Sequence, residues 1–128
     1  MLYLFNLTSY KMKSYKELEV WKLSMDLSVY IYKITIEFPK YELYGLSSQL
    51  RRAVVSLPSN IAEGASRHST KEFIQFLFIA NGSLSEVETQ LEIAHKLEYL
   101  MSLEDPTNRI KLIRKMLINL IKSLQNKL

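Results

Sequence analysis

The chain has 128 residues, of which 48% are hydrophobic and 23% are charged, a composition typical of a single globular domain. Three Gly and three Pro are too few for the many turns of an all-β sandwich, and the lack of Cys excludes disulfides, thiolate catalysis and cysteine zinc sites. No uncharged apolar run reaches the length of about 18 residues that would indicate a transmembrane helix. We therefore expect a cytoplasmic protein that does not insert into membranes.

The net charge of +4 is distributed unevenly along the chain. Residues 1–62 carry 8 basic and 5 acidic side chains, residues 63–108 carry 3 and 8, and residues 109–128 carry 6 and none. The basic last segment favours contact with a polyanion. Helices of opposite charge lying side by side in a bundle or between subunits would explain the same pattern.

The first residues do not resemble a signal peptide, because residues 1–10 have neither a basic start nor a small-residue cleavage site. We predict that residues 1–11 are an extra or disordered N-terminal segment. Met12 is an alternative start, and residues 12–128 are expected to form one domain.

Apolar residues spaced three and four apart predict two helices in the first half of the chain. The first helix is predicted over 15–38 and ends at Pro39. The second is predicted over 45–66, with a kink at Pro58 and a loosened end near Gly64. Their apolar stripes are Val20, Leu23, Leu27, Ile31, Ile34 and Phe38, and Leu46, Leu50, Val54, Leu57 and Ile61.

Two more helices are predicted in the second half. A Ser-x-x-Glu capping box at positions 69–72 starts a helix over 70–101, and Gly82 within it suggests close approach of another helix. The dipeptide Asp105-Pro106 predicts an N-cap and first helical residue for the fourth. Their apolar stripes are Phe73, Leu77, Ala80, Leu84, Val87, Leu91 and Ala94, and Ile110, Ile113, Leu117, Leu120 and Leu124.

Short connections between the helices predict an all-α fold, an up-down-up-down antiparallel four-helix bundle. Helices three and four carry more apolar positions than one bundle buries. This excess predicts a second buried surface and therefore a homo-oligomer. The candidate interface residues are Phe76, Phe78, Ile79, Leu112, Met116 and Ile118.

The sequence contains no recognisable catalytic or metal motif. Glu92-x-x-His95 has the spacing used by di-metal bundles, but those sites need two such motifs and two further glutamates. No Gly-rich phosphate loop occurs, and neither His has a neighbour that would make it a base for a serine nucleophile. We expect no enzymatic activity, no metal and no cofactor.

Polar residues form a stripe on helix two that faces polar positions on helix three. If buried, these groups must be hydrogen-bonded, and a network of this kind would fix the helix register. The alternative is a ligand or phosphate surface built on Arg51, Arg52 and Arg67. The network candidates are Gln49, Ser56, Asn60, Glu63, Glu86 and Glu88.

The sequence resembles the 23S rRNA intervening-sequence protein family, also called the four-helix-bundle protein family. The resemblance covers about 15–101 in the right order, whereas helix four matches only in character and residues 1–11 have no counterpart. The matching stretches are Leu18–Trp21, Phe38–Pro39, Tyr44–Ala53, Ser59–Gly64 and Phe73–Thr89.

The resemblance implies a four-helix bundle assembled as a ring-shaped homopentamer. It also implies a bacterial origin, often a reading frame inside an insertion in a ribosomal RNA gene, and no established enzymatic activity. Relatives include the accessory protein of diversity-generating retroelements, which is thought to bind nucleic acid and a reverse transcriptase. A reverse transcriptase-like or other protein partner is therefore a further expectation.

Two functional hypotheses follow. The first is an oligomeric accessory protein that binds RNA or DNA through basic residues, with some of the eight tyrosines stacking on unpaired bases. The second is a protein-interaction scaffold that binds no nucleic acid. The candidate nucleic-acid-binding residues are Arg51, Arg52, Arg67, Arg109, Lys111, Arg114, Lys115 and Lys122.

Overall fold

The computed structural model describes residues 14–128, together with the backbone of two short strands before them. These strands, β1 (Leu4–Phe5) and β2 (Lys11–Met12), pair antiparallel, with Leu4 opposite Met12. The prediction that residues 1–11 are an extra or disordered segment otherwise lies outside the described residues.

Four helices make up most of the described chain and confirm the all-α four-helix bundle. Each helix packs against the next in sequence, and the fourth also packs against the first. Connections of four to ten residues make successive helices antiparallel neighbours. The helices are α1 (Glu19–Thr35), α2 (Leu46–Ala65), α3 (Thr70–Lys96) and α4 (Glu104–Gln125), with single-turn 3-10 helices at Tyr15–Glu17 and Lys40–Glu42.

The core follows the predicted apolar stripes, and all four helices contribute to one buried cluster. Burial of these side chains supplies most of the folding free energy, at roughly 1.5–3 kcal/mol for each large one. The largest fully buried side chains are Leu27, Ile31, Leu50, Val54, Leu57, Ile61, Leu77, Leu84, Leu91, Ile110, Ile113 and Leu117.

The N-termini of α3 and α4 are capped differently. Ser69 Oγ accepts a hydrogen bond from the Glu72 amide at 3.1 Å, which confirms the predicted capping box of α3. The N-cap predicted at Asp105 is wrong, because α4 begins at Glu104, two residues before the predicted first helical residue, and Leu103 occupies the cap position. The Asp105 carboxylate instead accepts a hydrogen bond from Arg109 one turn later, at 3.1 Å.

Helix α3 ends at Lys96, five residues before the predicted end. Glu98 adopts a left-handed conformation with φ of 66°, and the Tyr99 amide donates to the Ala94 carbonyl at 2.9 Å. This arrangement is a Schellman motif, which usually carries Gly at the left-handed position. Because Glu stands there, the sequence pattern does not mark the end of the helix.

Helix α2 continues through Pro58, which is buried in the bundle. Proline has no N–H, so the carbonyl of Val54 loses its usual partner within the helix. The Ser28 hydroxyl of α1 lies 3.1 Å from this carbonyl and 2.9 Å from the carbonyl of Ser24. The single hydroxyl hydrogen of Ser28 is shared between these two carbonyls, so a serine on the neighbouring helix partly replaces the donor that the proline removes.

The close helix approach lies at Gly64 rather than at Gly82. A Cβ added at Gly64 would lie 2.5 Å from Phe76 Cβ, so α2 and α3 can pack at this distance only around glycine. Nothing lies within 4 Å of the corresponding position at Gly82. The prediction that Gly82 allows close packing is therefore wrong within the subunit.

Candidate nucleic-acid interface

The outer face of α4 carries three lysines that lie on one stripe. Lys111, Lys115 and Lys122 are exposed, and at about 100° per residue they fall within about 40° of one another around the helix axis. They span about 16 Å along that axis, at about 1.5 Å per residue. None of the three has a hydrogen-bond or ion-pair partner among residues 14–128. We call these residues the α4 lysine stripe.

The two arginines of α4 are engaged within the subunit. Arg114 donates to Glu88 Oε1 of α3 from both terminal nitrogens, at 3.1 and 3.2 Å, and to Ser85 Oγ at 3.1 Å. Its charge therefore joins two helices of the bundle, and the exposed positive surface of α4 is smaller than its five basic residues suggest.

Arg109 is the second arginine held within the subunit. Its Nε donates to Asp105 at 3.1 Å, and its guanidinium carbon lies 4.4 Å from the centre of the Tyr30 ring on α1. Burial raises the pKa of Tyr30, the nearby Asp105 carboxylate adds to this effect, and the Arg109 cation opposes it. Arg109 thus helps to hold α4 against α1.

The basic residues of α2 and of the α2–α3 connection differ in whether they have hydrogen-bond or ion-pair partners within the subunit. Arg51 is half-buried, its Nε donates to Thr35 Oγ1 at 2.9 Å, and its guanidinium lies 5.0 Å from the Tyr32 ring centre. Arg67 forms an exposed ion pair with Glu63 at 2.8 Å. Arg52 is exposed and has no hydrogen-bond or ion-pair partner in the described part of the chain.

The residues of the predicted polar network do not form one network. Ser56 Oγ lies 2.9 Å from Ser83 Oγ on α3, and Asn60 Nδ2 donates to Ser56 Oγ at 2.9 Å and to the Ser56 carbonyl at 2.8 Å. These three residues join α2 to α3. Glu63 and Glu88 instead pair with Arg67 and Arg114, and Gln49 and Glu86 are exposed.

A small polar groove lies between α2 and α3 beside this cluster. It has a volume of about 300 Å³ and is lined in part by Arg52, Glu86 and Gln90. The side-chain oxygen of Gln90 is buried and has no partner within residues 14–128. Buried polar atoms normally have a hydrogen-bond partner, so this oxygen can accept from a donor that enters the groove, such as water.

The candidate interface residues are mostly at the surface. Phe78 and Ile79 of α3 are 53% and 51% exposed, and Leu112 and Ile118 of α4 are 49% and 38% exposed. Phe76 and Met116 are half-buried, and the Arg67 guanidinium lies 4.9 Å from the Phe76 ring centre. These large apolar side chains lie on the two helices for which the sequence predicted a second buried surface.

A second apolar surface, on α1, was not predicted. Met25, Val29, Tyr32 and Ile36 are between 41% and 72% exposed. Their spacing of four, three and four places the first three on one face of α1 beside the core stripe, and Ile36, the C-cap residue, continues that face. That spacing was the signal available in the sequence, but it was not separated from the core pattern of the same helix.

The described residues contain neither a group of metal ligands nor a helix able to span a membrane. No group of three or more His, Asp and Glu side chains in this part of the chain could hold a metal ion. Among the same residues, no helix combines the length and the apolarity needed to cross a bilayer.

Residues 16–119 match the family described as 23S rRNA-intervening sequence protein. The chain belongs to this family. A crystal structure of a protein of unknown function from the S23 ribosomal protein family of Bacteroides thetaiotaomicron is similar, with a TM-score of 0.58 and 26% sequence identity. The similarity covers 82% of this chain and 94% of that one. No curated protein matches the chain.

The region that matches the family covers most of the helical bundle. The matched region begins at residue 16 and ends within α4, so it contains α1, α2, α3 and most of the α4 lysine stripe. It does not include residues 1–15.

Proposed function

We propose that this protein of the 23S rRNA-intervening sequence family is a non-enzymatic, homo-oligomeric accessory protein that binds RNA or DNA in the cytoplasm. The α4 lysine stripe is the observation that carries the proposal. Residues 109–128 contain no acidic side chain, and the three lysines of the stripe are exposed and unpaired within residues 14–128. Their ammonium groups are therefore available to phosphates.

The interaction expected from such a stripe is electrostatic. Lysines that neutralise phosphates release counterions, so affinity falls as the salt concentration rises. Contacts to phosphates carry little sequence information, and lysine is a flexible point charge rather than a planar fork for base edges. The proposed binding is thus weak for one subunit and nearly independent of sequence.

Self-association would strengthen this weak binding. The exposed Phe78, Ile79, Leu112 and Ile118 supply an apolar surface suited to contact between subunits. Several stripes held in one assembly would bind a single strand with greater avidity than one stripe. A ring of five subunits is the form that the family resemblance suggests, and a reverse transcriptase-like protein is the partner it suggests.

The test is a binding titration of labelled single-stranded RNA, followed by fluorescence anisotropy at about 50 mM salt, where phosphate contacts are strong. The variant Lys111→Glu/Lys115→Glu/Lys122→Glu should bind much more weakly than the wild-type chain. The control Lys33→Glu/Lys71→Glu/Lys96→Glu changes the net charge equally at exposed positions on other helices and should retain most of it. Equal loss in both variants would indicate that net charge alone is responsible and would contradict a defined stripe.

The scaffold function is the second candidate, and a specific observation favours it. Arg51, Arg67, Arg109 and Arg114 all have hydrogen-bond or ion-pair partners within the subunit, so half of the eight candidate cations already serve the fold. If the wild-type chain binds neither RNA nor DNA at about 50 mM salt, the charges serve assembly and the scaffold function replaces nucleic-acid binding.

A further inference from the structure

A hollow of about 730 Å³ lies where the connection from α1 meets the outer face of α2. Its lining includes Tyr32 of α1, Tyr44 of the connection, and Ser48, Arg51 and Arg52 of α2. Sites for small ligands usually have volumes of about 300–1,000 Å³, so the hollow is large enough to receive one. We call it the aromatic hollow.

Two tyrosine rings are presented at the aromatic hollow. Tyr44 is 93% exposed and has no hydrogen-bond or ring partner within residues 14–128. Tyr32 is 44% exposed, and the Arg51 guanidinium lies 5.0 Å from its ring centre. Stacking of a planar ring removes the apolar face of an exposed aromatic side chain from water and is therefore favourable. The Tyr44 ring contributes little to packing within the described chain and is available to receive such a ring.

The aromatic hollow is positively charged. Its lining contains two arginines and no acidic residue. Arg51 is held by Thr35 and by the Tyr32 ring, whereas Arg52 is exposed and has no hydrogen-bond or ion-pair partner among residues 14–128. A guanidinium matches the geometry of a phosphate and can donate two parallel hydrogen bonds to it. Arg52 is therefore the cation that an anionic ligand in the hollow would contact.

The rings and the cation together define the chemistry of the occupant. A purely apolar segment would cover Arg52 without giving it a counter-ion, and an inorganic anion would leave the rings in water. A nucleotide supplies both parts, a planar base and a phosphate. Ser48 lies one helical turn before Arg52, about 6 Å along the axis, and its hydroxyl adds a hydrogen-bonding group for the sugar between them.

We propose that the aromatic hollow binds an unpaired nucleotide of a nucleic-acid strand, with the base stacked on Tyr44 and the phosphate on Arg52. Unpaired bases can leave the strand and stack on aromatic side chains, whereas the bases of a duplex stack on one another. The hollow thus gives single strands a contact that duplexes lack. This inference rests on the proposed nucleic-acid binding, and it adds a base contact to the phosphate contacts of the α4 lysine stripe.

The first test compares a labelled single-stranded RNA with the same RNA annealed to its complement, by fluorescence anisotropy at about 50 mM salt. Tyr44→Ala should lower the ratio of single-strand to duplex affinity at least about 5-fold, because stacking of one base is lost. Tyr44→Phe keeps the ring and should bind like the wild-type chain. Tyr41→Ala is the control, because it removes an exposed ring of the same connection that does not line the hollow.

Salt dependence separates the two parts of the proposed site. Arg52→Gln should flatten the slope of log K against log salt for the single strand by about 0.7 for each phosphate that Arg52 contacts. Tyr44→Ala should leave this slope unchanged, because the ring carries no charge. Circular dichroism checks that every variant keeps its helices.

The outcomes distinguish this proposal from the proposed function. If the wild-type chain binds RNA but Tyr44→Ala leaves the single-strand to duplex ratio unchanged, the hollow is not a nucleotide site and the proposed function stands. If the wild-type chain binds neither form of RNA, both fail. A labelled copolymer of glutamate and tyrosine tests an acidic protein partner. Copolymer binding that depends on Tyr44 and Arg52, with RNA binding that does not, would assign the hollow to such a partner and overturn the proposal.

Discussion

At position 58 the α2 helix carries a proline whose nitrogen cannot donate to the carbonyl of Val54. Ser28 is buried on α1, and its hydroxyl contacts that carbonyl across the helix–helix interface. An unpaired buried carbonyl destabilises the folded state, which explains why a polar side chain lies at this point of the α1–α2 interface.

Ser28→Ala should therefore lower the free energy of unfolding by about 1–3 kcal/mol, because the Val54 carbonyl loses its donor. Ser24→Ala is a matched control: it also removes a buried hydroxyl from α1, but that hydroxyl bonds the Val20 carbonyl within its own helix. Urea denaturation measures the free energy of unfolding of both variants. Pro58→Ala restores a backbone N–H, so a Ser28→Ala effect that is equally large in the Pro58→Ala background would contradict this explanation.

At the scale of elements, the contact between α2 and α3 depends on Gly64. Gly64→Ala places a methyl group 2.5 Å from Phe76 Cβ and 3.3 Å from the Phe73 carbonyl oxygen, so the helices must separate. We expect destabilisation of about 1–3 kcal/mol, as for overpacked cores. Gly82→Ala is the control and should stabilise the isolated subunit by about 0.5–1 kcal/mol, because its methyl group enters open space and alanine favours the helix. Thermal denaturation that gives the same sign for both variants would contradict the packing described.

The connection between α1 and α2 and the connection between α3 and α4 are joined by a phenol and a carboxylate. Tyr99, after α3, donates to Glu42 Oε2 at 2.8 Å and lies 3.3 Å from the Tyr41 hydroxyl. The other oxygen of Glu42 accepts from the Leu46 amide at the start of α2, at 3.2 Å. The hydrogen bonds with Tyr41 and then with Glu42 raise the pKa of Tyr99 above its ordinary value.

This shift predicts how stability depends on pH. Because the folded state holds the Tyr99 proton more tightly than the unfolded state, its contribution is present below pH 10, the ordinary pKa, and is lost as pH rises above it. Melting temperatures measured from neutral to alkaline pH should therefore fall above about pH 10. Tyr99→Phe should be less stable at neutral pH and should show a shallower alkaline fall. If the melting temperature of Tyr99→Phe falls equally steeply, groups other than Tyr99 cause the alkaline loss of stability.

The helices could be predicted from the sequence, but their ends and partners could only partly be predicted. The spacing of apolar residues by three and four was enough to predict the four core stripes, and the capping box was enough to predict the start of α3. The end of α3 at a left-handed Glu98 has no compositional mark. The ion pair of Arg114 with Glu88 joins residues on different helices, and such pairing depends on a helix register that spacing within one helix does not reveal.

At the scale of the whole molecule, the exposed apolar residues of α3 and α4 predict self-association. Light scattering of the wild-type chain should give a multiple of 15.0 kDa, with five subunits expected. Phe78→Glu and Ile118→Glu should reduce the mass toward one chain while circular dichroism still shows the helices, because a charge cannot be buried unpaired between subunits. Thr89→Glu, exposed on α3, is the control. A wild-type mass of a single chain would contradict self-association.

The salt dependence of RNA affinity tests the central claim most directly, because its slope counts the phosphates that the protein neutralises. For single strands the slope of log K against log salt is about −0.7 per phosphate, so three lysines of one subunit give about −2. An oligomer that presents several α4 lysine stripes to one strand predicts a slope steeper than this between about 50 and 200 mM salt, and a markedly flatter one for Lys111→Glu/Lys115→Glu/Lys122→Glu. An unchanged slope in that variant, or no binding by the wild-type chain at the lowest salt, would contradict the account.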